Sequence, residues 1–180
     1  MRPSSSSATS SPGSLRLRPA SPSDAAFLAE MLAEAAAWDR PPGEPPPPSG
    51  DVLVTPRVAD YVEAWGRDGD GGAIAEWDGE PVGACWFRRF TATHPGYGFL
   101  GEDVPGLGLA VREGYRRRGI GGALLWAALA DLRESGAAAV SLSVAAQNER
   151  ARRLYDKAGF ETVGREGGSL TLRLRLRDES

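Results

Sequence analysis

Apolar positions recur along this chain with two periods, and the switches between them mark out its elements. Leu15-Arg16-Leu17-Arg18 alternates as a short strand does. Pro22 and Asp24 then open a helical pattern to about Ala37, with Phe27, Leu28, Met31, Leu32 and Ala35 on one face and Glu30 and Glu34 on another side. Residues 41–48 are proline-rich and can be neither helix nor central strand. Residues 56–65 predict a second helix, with Val58, Tyr61, Val62 and Trp65 on one face and Gly66 after it. Residues 73–77 and 82–90 flank Asp78-Gly79-Glu80-Pro81 and predict a hairpin. Residues 91–106 are irregular and contain Glu102 and Asp103.

The C-terminal half is more regular. Leu107, Leu109 and Val111 alternate as a strand, and Gly119 begins a helix whose Ile120, Leu124, Ala128 and Leu132 face a core until Gly136 stops it. Ala138, Val140, Leu142 and Val144 form another strand. Residues 148–158 form a helix stopped by Gly159, and Leu170, Leu172, Leu174 and Leu176 end the pattern as a half-exposed strand. The order β-α-α-β-β-β-α-β-α-β-β predicts an α/β fold, a mixed sheet with helices packed on it. Residues 1–14, mostly serine, carry too little apolar surface to offset ordering and predict a disordered tail ahead of a single domain over 15–180.

Composition narrows the function classes. Apolar residues at 41% and charged residues at 25% are ordinary for a soluble domain. A net charge of -3 argues against a general nucleic-acid binder. One cysteine, Cys85, excludes an internal disulfide, and with one histidine, His94, a multi-cysteine or histidine-rich metal centre is not expected. No stretch reaches the roughly 18 apolar residues that span a bilayer. The start lacks the apolar core of a secretory signal, so the expected location is cytoplasmic, with no membrane partner.

The chemistry concentrates in Val111-Arg112-Glu113-Gly114-Tyr115-Arg116-Arg117-Arg118-Gly119-Ile120-Gly121-Gly122, which leaves a strand, crosses a basic turn and enters a glycine-rich helix. The first turn of a helix offers unpaired N–H groups and partial positive charge, glycines let an anion approach, and arginines add formal charge. A pyrophosphate suits such a site. The P-loop pattern needs Gly-Lys-Ser or Gly-Lys-Thr, which is absent, and the third glycine of a dinucleotide fingerprint is replaced by Leu124. On chemistry alone, a solvated basic loop remains the alternative.

Arg116-Arg117-Arg118-Gly119-Ile120-Gly121 resembles the Gln/Arg-x-x-Gly-x-Gly/Ala signature of the GNAT superfamily of N-acetyltransferases. Asn148-Glu149-Arg150-Ala151-Arg152-Arg153-Leu154-Tyr155, followed by Gly159-Phe160, is similar to that family's asparagine-to-tyrosine helix and its step into the next strand. Leu15 to Ala20 with Asp24 resembles the usual opening. The resemblance implies a mostly antiparallel central sheet of about six to seven strands, about four helices, and two central strands that splay apart, often at a bulge. It implies acetyl-CoA as co-substrate and no metal. Leu109, Ala110 and Val111 would meet the pantetheine arm, and Arg116, Arg117, Arg118, Gly119, Ile120, Gly121 and Gly122 the pyrophosphate. Asn148 would bond the pantetheine region and Tyr155 would protonate the departing thiolate. Gly106 and Gly108 are compatible with the bulge.

Individual residues also have plainer roles. Asn148 is a favoured helix N-cap, Tyr155 sits on an apolar face, Cys85 suits a small buried residue, and His94 a surface loop. The family often places a carboxylate base at or ahead of the binding strand. Glycines occupy the strand here, which leaves Glu102, then Asp103, as the expected base. The expected partner is a small-molecule or peptide amine, its pocket shaped by the first two helices and the 41–48 and 91–106 loops. Trp38, Asp39, Glu44, Trp65, Glu102 and Asp103 are available to line it. The resemblance also admits a homodimer, and a non-catalytic acyl-CoA sensor of the same fold is the rival reading.

Overall fold

The computed structural model describes residues 13–178. Its strands are β1 (Leu15–Pro19), β2 (Gly71–Trp77), β3 (Glu80–Arg88), β4 (Gly106–Val111), β5 (Ala139–Ala145), β6 (Glu161–Glu166) and β7 (Ser169–Arg175). Its helices are α1 (Ala25–Ala36), α2 (Ser49–Leu53), α3 (Pro56–Ala59), α4 (Ile120–Glu134) and α5 (Glu149–Ala158). The strands make one sheet in the order β1-β2-β3-β4-β5-β7-β6. Every neighbouring pair is antiparallel except β4 and β5, which run parallel. This is the mixed α/β sheet that the periodicities predict, mostly antiparallel as the resemblance implies.

Alternation along the strands divides the core between the two faces of the sheet. Cys85 and Phe87 of β3 and Leu107 of β4 join the apolar stripe of α4, including Ile120, Leu124 and Leu129. Ala84 and Trp86, one residue out of phase, join Phe27, Leu28, Met31 and Leu32 of α1 on the other side. The turn between β2 and β3 has Asp78 at φ 51° and Gly79 at φ 85°, the two left-handed residues of a type I′ hairpin, whose twist matches the flanking strands.

Three expectations change. The helix predicted over 56–65 stops at Ala59, and Ala64 takes a left-handed φ of 49°. The carbonyls that would continue the helix are claimed from elsewhere: the fully buried Arg88 guanidinium donates to Asp60 O and Glu63 O, both at 2.8 Å, and Trp86 Nε1 donates to Tyr61 O at 3.1 Å. Arg88 also pairs with Asp70 at 2.6 Å, so tertiary bonds override local periodicity here. The expected bulge at Gly106 and Gly108 does not form, because β3 and β4 stay in register from Gly83 opposite Val111 to Arg88 opposite Gly106. These glycines make room for aromatic rings instead. A Cβ on Gly106 would lie 2.7 Å from Phe90, and one on Gly108 would lie 2.8 Å from Trp86. Of the predicted tail, residues 1–12 lie outside the described residues. Ser14 is tied in place, its N–H donating to Asp78 Oδ1 and its carbonyl accepting from the Asp78 N–H.

Replacing Gly108 with Ala forces a methyl against a fully buried indole. Overpacking of this kind costs about 1–3 kcal/mol, so the midpoint of urea unfolding should fall with an unchanged denaturant slope. An unshifted midpoint would mean that Trp86 has room to move.

Candidate active-site cleft

β4 and β5 share a single bridge, Gly106 opposite Ser141, reinforced by Ser141 N–H donating to Pro105 O at 2.9 Å. Beyond it the strands part, and a cleft of about 650 Å³ opens between them. Leu109, Ala110 and Val111 form one wall, Ser143, Val144 and Ala145 the other, with the starts of α4 and α5 at the mouth. The Arg112 N–H donates to Val82 O at 2.8 Å, so alternate residues of β4 turn their backbone groups to β3. That alternation leaves the amides of Leu109 and Val111 facing the gap.

Past β4 the chain makes a 3-10 turn, Glu113–Tyr115, and enters α4 through Gly119, whose φ of 76° is left-handed. Nothing lies within 4 Å of a Cβ built there, so the glycine serves the backbone turn rather than close packing. Ile120, Gly121 and Gly122 supply first-turn N–H groups of α4 and all three line the cleft. Arg117 also lines it, with a φ of 63° that is unusual for a side-chain-bearing residue.

The three arginines of the turn do different things. Arg116 lines the cleft, but its Nε donates to Val111 O at 3.0 Å and its terminal nitrogen lies 3.2 Å from Glu34 Oε2. Arg118 turns out of the cleft and lies over Trp77, 4.7 Å from the ring centre, and over Tyr115 at 5.4 Å. Arg150, which sequence reasoning passes over, lines the cleft from the first turn of α5. Partial burial and the charges of Arg116 and Arg117 hold its guanidinium below the usual range. Like charges gathered at one mouth are destabilising unless an anion joins them. A basic residue in the first turn of a helix, opposed by the helix dipole, is the available signal.

Asn148 caps α5, its Oδ1 accepting from Ala151 N–H at 3.2 Å while the residue also lines the cleft. Tyr155 is buried at the cleft wall, with Phe160 edge-on at 5.5 Å. Its hydroxyl has no hydrogen-bond partner among the described residues. Burial, with a smaller contribution from nearby Cys85, pushes this phenol above its ordinary value and keeps it protonated.

On the α1 side, Glu34, Ala35 and Trp38 line the cleft. Glu34, expected on the polar side with Glu30, is buried, whereas Glu30 stays exposed and pairs with Arg112 at 2.8 Å. Glu102 is exposed, is not part of the cleft wall, and accepts from Ala92 N–H at 3.1 Å. Asp103 is exposed away from the wall as well. Trp65 packs in the α1-side core and donates through Nε1 to Ser21 O at 2.9 Å. Cys85 is buried and its thiol pushed up by burial, and His94 is exposed. Among the described residues no group of three His, Cys, Asp or Glu could hold a metal ion, and no helix is long and apolar enough to cross a membrane.

The sheet is thus parted between two central parallel strands, with a basic glycine-rich helix start at the mouth of the gap. The chain belongs to the acetyltransferase (GNAT) family, whose pattern matches residues 30–160. It is 36% identical over 128 residues to a mycothiol acetyltransferase of Acidimicrobium ferrooxidans, covering 71% of this chain and 39% of that protein. The chain therefore spans about two fifths of that relative's length. The fold is that of the PaiA N-acetyltransferase of Thermoplasma acidophilum, solved in complex with coenzyme A (17% identity, 90% of this chain and 99% of that one, TM-score 0.63). It is equally that of the ribosomal-protein-S18-alanine N-acetyltransferase of Escherichia coli (17% identity, 93% and 97%, TM-score 0.64).

The division among the arginines is testable by titrating coenzyme A into single variants at low salt. Arg117→Ala and Arg150→Ala should each weaken binding about tenfold, the worth of one charge-assisted hydrogen bond. Arg118→Ala should change it by less than about twofold. A larger loss for Arg118 than for Arg150 would refute the division.

Proposed function

We propose that this protein is an N-acetyltransferase that moves an acetyl group from acetyl-CoA to a primary amine by direct transfer in a ternary complex. The observation that carries the reading is the cleft itself: backbone groups of Leu109 and Val111 unpaired by β5, the α4 first turn at its mouth and the Tyr155 hydroxyl in its wall. An extended pantetheine arm would use β4 as an added strand does, through main-chain hydrogen bonds. Arg117, Arg150 and the N–H groups of Ile120, Gly121 and Gly122 would hold the pyrophosphate, and the side-chain Nδ2 of Asn148, whose Oδ1 caps α5, would meet the arm. Arg116 belongs to the wall more than to the ligand.

In this reading the amine nitrogen attacks the thioester carbonyl, whose oxygen is polarised by the Val111 N–H. As the new C–N bond forms and the C–S bond breaks, Tyr155 gives its proton to the leaving sulfur. The proton lost by the nitrogen passes to water, and water returns a proton to the Tyr155 phenolate. Glu102 stands away from the cleft, so its expected role as base is not carried forward. Holding both reactants in line supplies most of the acceleration, as it does wherever a bimolecular step becomes intramolecular. The acceptor approaches from the α1 side, beside Trp38. A cytoplasmic location goes with the same reading.

Free-thiol release from acetyl-CoA should be measured against amines of several classes: polyamines, aminoglycosides, arylalkylamines and peptides with free N-termini. One class should give release that falls about 10²-fold in Tyr155→Phe, within the range of a lost general acid, while coenzyme A affinity changes little. Because burial raises the Tyr155 phenol, its ionisation should produce no descending limb in kcat below about pH 10. A Tyr155-dependent fall near neutral pH would contradict the assignment. The lack of a carboxylate on β4 favours one rival, a sensor that binds acyl-CoA without turnover; tight binding with no release across the panel would support it.

A further inference from the structure

One buried carboxylate has no part in the acetyl transfer described above. Glu34, near the end of α1 and only 5% exposed, faces two guanidiniums through one oxygen: Oε2 is 2.7 Å from Arg40 and 3.2 Å from Arg116. Arg116 uses its remaining edge on the cleft wall, donating from Nε to Val111 O. Arg40 uses its remaining edges on the segment that follows α1, donating to Ala37 O at 3.1 Å and Glu44 O at 2.8 Å. Glu113, in the turn before Arg116, closes the circuit: its Oε1 accepts from Gly43 N–H at 3.0 Å and its Oε2 lies 3.7 Å from Arg40.

We infer that Glu34 is a positioning residue that joins the phosphate turn to the 37–44 strap, so that filling the cleft with coenzyme A tightens the strap on the acceptor side. From Arg116 through Glu34 to Arg40 the contacts are ionic, and Arg150 lies within reach of the charges of Arg116 and Arg117. An anion at the mouth draws on Arg117 and Arg150 and changes the field at Arg116, whose hold on Glu34 is shared with Arg40. Arg40 in turn fixes the strap beside Trp38, itself part of the cleft wall. Both guanidiniums bond the same buried oxygen, so a shift of either one alters the hydrogen-bond geometry of the other. The inference rests on the reading of the cleft as an acyl-CoA site.

Hydrogen exchange of a peptide covering residues 37–44 tests it, with and without saturating coenzyme A. Amides of Ala37, Arg40, Gly43 and Glu44 are hydrogen-bonded in the strap, so their exchange reports its order. Coenzyme A should slow exchange in the wild-type protein by about fivefold or more, the usual floor of a real coupling. In Glu34→Met and in Arg116→Met, which open the ring from opposite sides, the slowing should vanish while calorimetry shows each site saturated and thermal unfolding shows each variant folded. No slowing in the wild type, or equal slowing in folded variants, overturns the inference. Failure of coenzyme A to bind the wild-type protein at all would instead overturn the functional reading, and the inference with it.

Discussion

Parallel neighbours in the middle of a sheet ordinarily share a ladder of hydrogen bonds along their length, and β4 and β5 share only Gly106 opposite Ser141. Backbone groups half inside a protein are costly when unpaired. The separation is therefore held open by what lines it and completed by what enters it. Arg116 takes up the Val111 carbonyl from within the wall. The amides of Leu109 and Val111 face the gap, which is where the proposed reading seats an extended ligand. Tyr155, the first turn of α4 and the Asn148 cap are useful because they stand around that gap.

The glycines of β4 acquire their meaning from the opposite face. Trp86 and Phe90 occupy the volume that side chains at 108 and 106 would need. The strand thereby gives up a position from which a carboxylate could have reached the acceptor. Its place beside the cleft is taken by α1 and the residues just after it, which contribute Glu34 and Trp38. In the proposed reading, a site with no carboxylate on β4 leans harder on positioning and on the neutral form of the amine. The ring of Glu34, Arg40, Arg116 and Glu113 ties down a proline-rich segment that has only a few turn hydrogen bonds of its own.

The C-terminal half of the fold is readable from the sequence because its elements obey one period each: α4 and α5 carry clean stripes and glycine stops, and β5 and β7 alternate without interruption. Periodicity overextends the short helix α3 because the buried guanidinium of Arg88 and the indole of Trp86 claim backbone carbonyls that the pattern assigns to the helix. Within the cleft, motif spacing is enough to find the basic turn, Asn148 and Tyr155. It does not find Glu34, whose burial needs one partner six residues on and another 82 residues on. Nor does motif spacing find Arg150, for which the only sequence signal is a basic residue in the first turn of α5. Arg118 resembles its neighbours until the turn places it over two aromatic rings.

The central claim is that the parted strands are the seat of an acyl-CoA arm, and amide chemical shifts measured during an acetyl-CoA titration test it most directly. Saturable shifts should concentrate at Leu109, Val111, Ile120, Gly121 and Gly122, with the Leu109 and Val111 amides gaining protection from exchange. Saturable binding that leaves the Leu109 and Val111 amides unchanged, or that perturbs the far side of the sheet instead, would contradict it.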